Sequence, residues 1–129
     1  MNINGTAIIV EKSKQQMFEF LTDLNNFKQL MPDSTEKFEV EGDSFVFALK
    51  GMPEIRLTKK EVTPYSNITL GAASSKLDFM LAADIEEINE SSCQIQLNFD
   101  GNFNPMMAMM VKKPLTSFIN TLTENLKKL

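Results

Sequence analysis

The sequence predicts an α+β protein in which a curved antiparallel sheet of about six to seven strands wraps around one long C-terminal helix. From Thr35 to Asp100, apolar and polar residues alternate in short segments, which is the period-two pattern of strands. From Pro105 to Leu129, apolar residues recur at steps of three and four, which places them on one stripe of a helix. Packing the helix on the sheet buries both apolar surfaces, so the two patterns indicate one architecture.

The sequence of the N-terminal part predicts one strand followed by two short helices. The apolar, β-branched run from Gly5 to Glu11 is typical of a strand. Ser13 and Gln16 form an S-x-x-Q capping box, which starts the first helix. Asp23 can cap the second helix, and Pro32 ends it because proline disfavours helical geometry in the residue before it.

The middle of the chain predicts strands separated by turns. Turn residues stand at Gly42-Asp43, at Gly51-Met52-Pro53 and from Asn89 to Ser92. The apolar residues assigned to one face in successive strands are Phe38 and Val40; Phe45, Phe47 and Leu49; Ile55 and Leu57; Ile68, Leu70 and Ala72; Leu77, Phe79, Leu81, Ala83 and Ile85; and Cys93, Ile95, Leu97 and Phe99.

The C-terminal helix has a clear start and an internal proline. Asn104 offers a side-chain cap and Pro105 suits the first helical position. Pro114 is expected to kink the helix because it removes one backbone hydrogen bond. The predicted buried stripe consists of Met107, Val111, Leu115, Phe118, Leu122, Leu126 and Leu129.

Length and composition limit the function classes. The 129 residues are expected to form one domain, 1–129. A net charge of -4 without a cluster of basic residues argues against nucleic-acid binding. We expect a cytoplasmic protein that is not transmembrane, because no targeting signature or long apolar run is seen. A single cysteine and no histidine predict neither a disulfide nor a metal site, and no cofactor is expected.

The order of elements resembles the START-related SRPBCC superfamily, which has the helix-grip fold of the birch-pollen allergens, polyketide cyclases and lipid-transfer START domains. A closer likeness is to the accessory-protein branch associated with carbon monoxide dehydrogenase. The residues that carry this likeness are Leu30-Met31-Pro32-Asp33 and Phe38-Glu39-Val40-Glu41-Gly42-Asp43. That branch has a Gly and a Cys shortly after the proline, where this chain has Asp33 and Ser34. The superfamily resemblance implies a hydrophobic cavity between sheet and helix that binds, carries or sometimes transforms an apolar molecule.

Candidate cavity residues follow from their inward position on strands and helices. Nine methionines and ten phenylalanines, with no tryptophan, suit an adaptable apolar lining, although a tightly packed core remains an alternative. The predicted ligand-binding residues are Phe27, Met31, Phe45, Phe47, Leu57, Leu70, Phe79, Leu81, Ile95, Leu97, Met107, Met110, Val111 and Phe118.

Catalytic candidates are few. Alternation along the strand places the side chains of Lys59 and Glu61 on the inward face, beyond Leu57. There Glu61 would act as a base and Lys59 or Tyr65 as a proton donor. The alternative is that a bulge or strand twist turns these side chains to solvent.

Three functions follow from these features. The first is non-catalytic binding or carriage of a lipid-like, aromatic or polyketide-like molecule, which predicts a closed apolar cavity. The second is an enzyme of the polyketide cyclase or hydratase type, which needs polar groups converging in that cavity. The third is an accessory protein that docks on a protein partner or a membrane through the C-terminal helix, which predicts exposed methionines from Met106 to Met110 and no enclosed space. A homodimer also stays open.

Overall fold

Strands make up most of the chain between two helical regions. A computed structural model describes residues 1–50, 54–72 and 78–129. In these ranges the elements are β1 (Asn2–Asn4), β2 (Ile8–Val10), α1 (Lys14–Thr22), a 3₁₀ helix (Leu24–Leu30), β3 (Thr35–Glu41), β4 (Ser44–Leu49), β5 (Ile55–Thr63), β6 (Asn67–Ala72), β7 (Asp78–Asn89), β8 (Ser92–Asn102) and α2 (Pro105–Lys127).

The strands of the described ranges form one antiparallel sheet in the order β1-β8-β7-β6-β5-β4-β3, and β2 also pairs with β8. The α+β architecture predicted from the sequence, with two short helices before the main strands and a long helix after them, is confirmed. The predicted turn at Gly51-Met52-Pro53 and the predicted strand residue Leu77 lie outside the described residues.

The first strand differs from its prediction, because the chain forms two short strands instead of one continuous strand from Gly5 to Glu11. The register against β8 moves by one residue between Asn4, which faces Asn98, and Ile8, which faces Ile95. At the break, the Gly5 amide donates to the carbonyl of Leu97 at 2.7 Å. A Cβ at Gly5 would stand 2.9 Å from that oxygen, so this close approach requires glycine.

Local signals of the sequence place both short helices. The Ser13 hydroxyl accepts from the Gln16 amide at 3.1 Å, and the Gln16 side chain accepts from the Ser13 amide at 2.9 Å, which completes the predicted capping box. The carboxylate of Asp23 accepts from the Asn25 amide at 3.1 Å and caps the second helix, which is of the 3₁₀ type.

The turns of the sheet follow their predictions where the structure describes them. Gly42 joins β3 to β4 with a φ of 60°, a left-handed conformation that glycine adopts without a Cβ penalty. Between β7 and β8, the Asn89 side chain accepts from the Ser91 amide at 2.9 Å. In β8, Ile95, Leu97 and Phe99 are buried on the inner face, as their alternation predicts.

Helix α2 packs on β1, β2, β8 and the 3₁₀ helix. The side chain of Asn104 accepts from the Met107 amide at 2.8 Å and caps the helix, which continues through Pro114. Near the other end, the Asn125 amide group donates to the carbonyl of Leu30 at 2.8 Å. The prediction that Leu129 belongs to the buried stripe is wrong, since Leu129 is exposed after the helix end. The buried residues of α2 are Val111, Leu115, Phe118, Ile119, Leu122, Thr123 and Leu126.

Candidate functional site

The inner face of the sheet is covered by apolar side chains, including most of the predicted cavity residues. Met31 and Met107 are partly buried and pack against this core. The predicted cavity residues that are buried are Phe27, Phe45, Phe47, Leu57, Leu70, Phe79, Leu81, Ile95, Leu97, Val111 and Phe118.

Aromatic rings fill the space between the sheet and the helices. The ring of Phe27, from the 3₁₀ helix, stacks on Phe45 with centroids 5.2 Å apart. The ring of Phe118, from α2, lies 5.0 Å from Phe47 and nearly parallel to it, at 7°. Such pairs bury large apolar areas and fix the helices to the sheet.

A small buried cavity lies beside Phe27 on the inner face of β6, β7 and β8. Its volume is about 10 Å³. A water molecule needs about this much space and also polar partners, whereas this lining is wholly apolar. The cavity therefore has no room for an organic molecule unless side chains move. Its lining consists of Phe27, Ile68, Leu70, Leu81, Ala83 and Leu97.

Three phenylalanines close the end of the inner face where β8 leads into α2. The ring centroid of Phe79 lies 5.2 Å from that of Phe99 and 6.2 Å from that of Phe103. Phe103 lies across Gly101, where an added Cβ would stand 2.5 Å from the ring. This end of the interior is thus closed by side chains, and a glycine in β8 makes room for the outermost ring.

The first turns of α2 carry an exposed apolar surface, the methionine turn, defined as Met106, Met109 and Met110. Their exposed fractions are 75%, 83% and 67%. The prediction that Met110 lines the cavity is therefore wrong. Met110 precedes the buried Val111 by one residue, which is about 100° around the helix, so its side chain lies off the buried stripe and is exposed.

The positions of the methionines relative to Val111 predict which of them are buried and which are exposed. Met107 lies four residues before Val111 and continues the buried stripe, so it is partly covered by the core. The other methionines of the first turns fall on the remaining faces of the helix.

Lysines follow the methionine turn, and carboxylates are absent from this part of the helix. Lys112 and Lys113 are exposed, and the first acidic residue of α2 is Glu124. Lys113 also lines an open groove of about 340 Å³ beside α2. The other residues of this groove, none of them acidic, are Pro32, Ser34, Leu49, Lys50, Pro114, Ser117, Phe118 and Thr121.

The structure does not gather the predicted catalytic residues inside the fold. The β5–β6 pairing shifts register between Lys59 and Glu61, which is the bulge considered as the alternative. The Lys59 ammonium lies 3.9 Å from the carboxylate of Asp43, and Glu61 is exposed. Tyr65 lies in a turn with a φ of 65°, and its ring meets that of Phe18 at 5.4 Å. The prediction that these side chains form a site in the cavity is wrong.

Two further kinds of reactive group in the described residues are the thiol of Cys93 and the carboxylates. The thiol of Cys93 is buried on the inner face, and burial raises its pKa above the ordinary value of 9.0. Within residues 1–50, 54–72 and 78–129, no three His, Cys, Asp or Glu side chains cluster closely enough to hold a metal ion. The same ranges contain no helix that is both long and apolar enough to cross a membrane.

Comparison with known proteins shows the fold. No protein-family model matches the chain, and no curated protein matches its sequence. The chain is similar to norcoclaurine synthase from Thalictrum flavum, solved in complex with dopamine and hydroxybenzaldehyde, with a TM-score of 0.74 at 16% identity over 99% of this chain and 84% of that one. It is also similar to an uncharacterised protein from Bacillus thuringiensis, with a TM-score of 0.69 at 9% identity over 99% and 97%.

A conserved protein from Geobacillus kaustophilus gives a TM-score of 0.69 at 14% identity over 99% of this chain and 93% of that one. These similarities identify the helix-grip fold, and membership of the superfamily stays a prediction. The likeness to the carbon monoxide dehydrogenase branch stays a prediction.

Proposed function

We propose that the protein binds and carries a hydrophobic molecule, lipid-like or aromatic, without transforming it. The molecule would lie between the inner face of the sheet and the first half of α2, in contact with the predicted cavity residues other than Met110. The main support is an apolar interior that the side chains of Phe79, Phe99 and Phe103 close at one end. The first turns of α2, which follow these rings, are mostly exposed. Rings and helix ends move at lower free energy than strands of a central sheet.

The first turns of α2 are weakly anchored. Before Val111, which is buried, Met107 and Ala108 are partly buried and the other residues from Pro105 are exposed. The cap from Asn104 is a single hydrogen bond at a surface position. Outward movement of these turns, together with Phe103, would join the small cavity to the surface. We infer that uptake uses this end of the molecule.

The arrangement of polar groups supports carriage over catalysis. A catalytic base or acid must lie within hydrogen-bonding reach of the reacting atoms. The inward-facing side chains that border the small cavity are all apolar, and Lys59, Glu61 and Tyr65 lie elsewhere. Norcoclaurine synthase shares the fold, but fold similarity alone does not transfer an activity.

Two observations favour a second candidate function, which is docking as an accessory protein on a partner or a membrane through the C-terminal helix. This function predicts exposed methionines and no enclosed space; the side chains of the methionine turn are exposed, and the buried cavity has a volume of only about 10 Å³. A protein partner would bury the methionines in a complex that native mass spectrometry or light scattering detects.

The test of carriage is titration with a fluorescent fatty acid and a fluorescent aromatic probe, both below their aggregation concentrations, with stoichiometry from native mass spectrometry. Phe79→Asp places a charge on the inner face, and Met80→Asp is the matched control because Met80 is the next residue of β7 and is 47% exposed. We expect a 1:1 complex in the wild type and in Met80→Asp, and its loss in Phe79→Asp.

A third variant covers the case in which Phe79→Asp fails to fold. Phe103→Ala removes the ring that closes the interior, and we expect it to raise the rate of probe uptake several-fold with the fold retained by circular dichroism. Absence of a complex with either probe in the folded wild type would overturn the proposal. Equal probe binding by folded Phe79→Asp and Met80→Asp would also overturn it, because it would place the probe on the surface.

A further inference from the structure

We infer that the methionine turn, together with Lys112, Lys113 and the groove beside them, docks on the surface of an anionic lipid bilayer. The inference adds a partner and a source for the hydrophobic molecule. The inference of docking depends only on the methionine turn, the two lysines and the groove, whereas the role of docking in uptake rests on the proposed function.

The apolar part of this surface is unusual for its position. Three long side chains, Met106, Met109 and Met110, are each at least two-thirds exposed within two turns of one helix. Because Met109 and Met110 follow Met106 at steps of three and four, the three side chains form one protruding patch. Unbranched thioethers adapt to an irregular apolar environment. Burial of such a patch at the boundary between headgroups and acyl chains is favourable.

The charge beside the patch is opposite to that of the whole chain. The net charge is -4, yet α2 carries Lys112 and Lys113 and no acidic residue before Glu124. The N-terminus of a helix adds a partial positive charge at the same end. A positive surface next to exposed apolar side chains is complementary to a bilayer that contains anionic lipids.

The groove beside α2 provides polar groups at the depth of the headgroups. Met110, Pro114, Ser117 and Thr121 follow each other at helical steps of four, three and four, so the groove continues the line on which Met110 lies. It brings Lys50 and Lys113 together with the hydroxyl groups of Ser34, Ser117 and Thr121, without a carboxylate. Ammonium and hydroxyl groups bind phosphate oxygens, so the groove suits a phospholipid headgroup.

The same features disfavour other occupants. In a symmetric dimer through this patch, Lys112 and Lys113 of the two copies would lie near each other and repel. Protein interfaces are enriched in arginine and depleted in lysine, whereas the cations of α2 are all lysines. An anionic bilayer therefore fits this surface better than a second copy or a protein partner does.

The test measures partitioning of the full chain onto vesicles of phosphatidylcholine alone and of phosphatidylcholine mixed with phosphatidylglycerol. We expect binding to the mixed vesicles only, and weaker binding as salt screens the charges. Lys112→Gln with Lys113→Gln is expected to lower binding about thirty-fold. Lys127→Gln with Lys128→Gln makes the same charge change at the far end of α2 and is expected to change binding by less than about twofold.

The apolar contribution has its own pair of variants. Replacing Met106, Met109 and Met110 together by Ser is expected to lower binding about tenfold or more. Ile9→Ser is the control, because Ile9 is an exposed apolar residue on the outer face of β2. Equal binding to neutral and anionic vesicles, equal losses in the two lysine pairs, or no loss in the methionine variant would each overturn the inference.

Failure of docking can be told from failure of carriage. The monomeric fluorescent probe is titrated without vesicles into the Lys112→Gln, Lys113→Gln variant, which is expected to bind it like the wild type. If the wild type binds the probe but no vesicle, the docking inference alone is overturned. If it binds anionic vesicles through the methionine turn but no probe, docking stands and the proposed function falls.

Discussion

At the scale of single residues, Gly101 and Phe103 decide how the interior is closed. Because a Cβ at residue 101 would stand 2.5 Å from the Phe103 ring, Gly101→Ala forces that ring to move. We expect Gly101→Ala to lower the free energy of unfolding by about 1–3 kcal/mol. Urea denaturation measures this change.

A double-mutant cycle assigns that cost to the ring. In the Phe103→Ala background, the Gly101→Ala change is expected to cost less than in the wild type, because the crowding ring is absent. The same cost in both backgrounds would mean that Phe103 does not close the interior over Gly101.

The buried thiol of Cys93 gives a second prediction at this scale. Burial raises its pKa above 9.0, so the unfolded chain ionises first as the pH rises. The stability that Cys93 contributes is full below about pH 9 and is lost as the pH rises through the raised pKa. We expect the difference in unfolding free energy between wild type and Cys93→Ala to shrink above pH 9. A constant difference up to pH 11 would contradict this assignment.

Single residues also show which features the sequence could predict and which it could not. Strand parity placed Phe79, Leu81, Ile95 and Leu97 correctly on the buried inner face, because alternation is a property of the strand itself. The role of these residues in binding stays a prediction. The exposure of Met110 was not predicted, because Met110 was grouped with Met107 although only Met107 continues the buried stripe of α2.

At the scale of elements, the start of α2 is the part most open to change. Asn104→Ala removes the hydrogen bond to the Met107 amide and is expected to cost about 1 kcal/mol of stability. Because this cap holds the turns that we expect to move, amide hydrogen exchange from residue 107 to 111 should become faster. Mass-spectrometric hydrogen exchange measures it.

The capping box of α1 is the control. Ser13→Ala removes a similar side-chain cap and is expected to cost a similar free energy. It should leave exchange at the start of α2 unchanged, since α1 packs on β6, β7 and the 3₁₀ helix. Equal acceleration in both variants would indicate global destabilisation and would contradict a locally weak start of α2.

Element boundaries were predictable where a local signal fixes them. Caps at Ser13, Asp23 and Asn104 each place a helix start as expected. The break after Asn4 and the register shift beyond Lys59 were not predicted in position, because they depend on which residue of the partner strand lies opposite. Such irregularities change the direction of every side chain that follows.

At the scale of the whole molecule, the sequence predicted the fold but not the volume of the interior. Phe27, Phe45, Phe47 and Phe118 are compatible with either a cavity lining or a packed core, and their rings pack on one another here. The choice depends on side-chain packing across the whole fold, which no local pattern encodes. The single domain, the cytoplasmic location and the likeness to the carbon monoxide dehydrogenase branch stay predictions.

The proposed function depends on the binding of a hydrophobic molecule between the sheet and α2. Methyl NMR with a monomeric fatty acid tests it most directly, because Leu70, Leu81, Leu97 and the methionines carry distinct methyl groups. We expect intermolecular nuclear Overhauser effects from the ligand to Leu70, Leu81 and Leu97 on the inner face. Contacts confined to Met106, Met109 and Met110, with unchanged inner methyl signals, would contradict the claim and leave the helix as a docking surface alone.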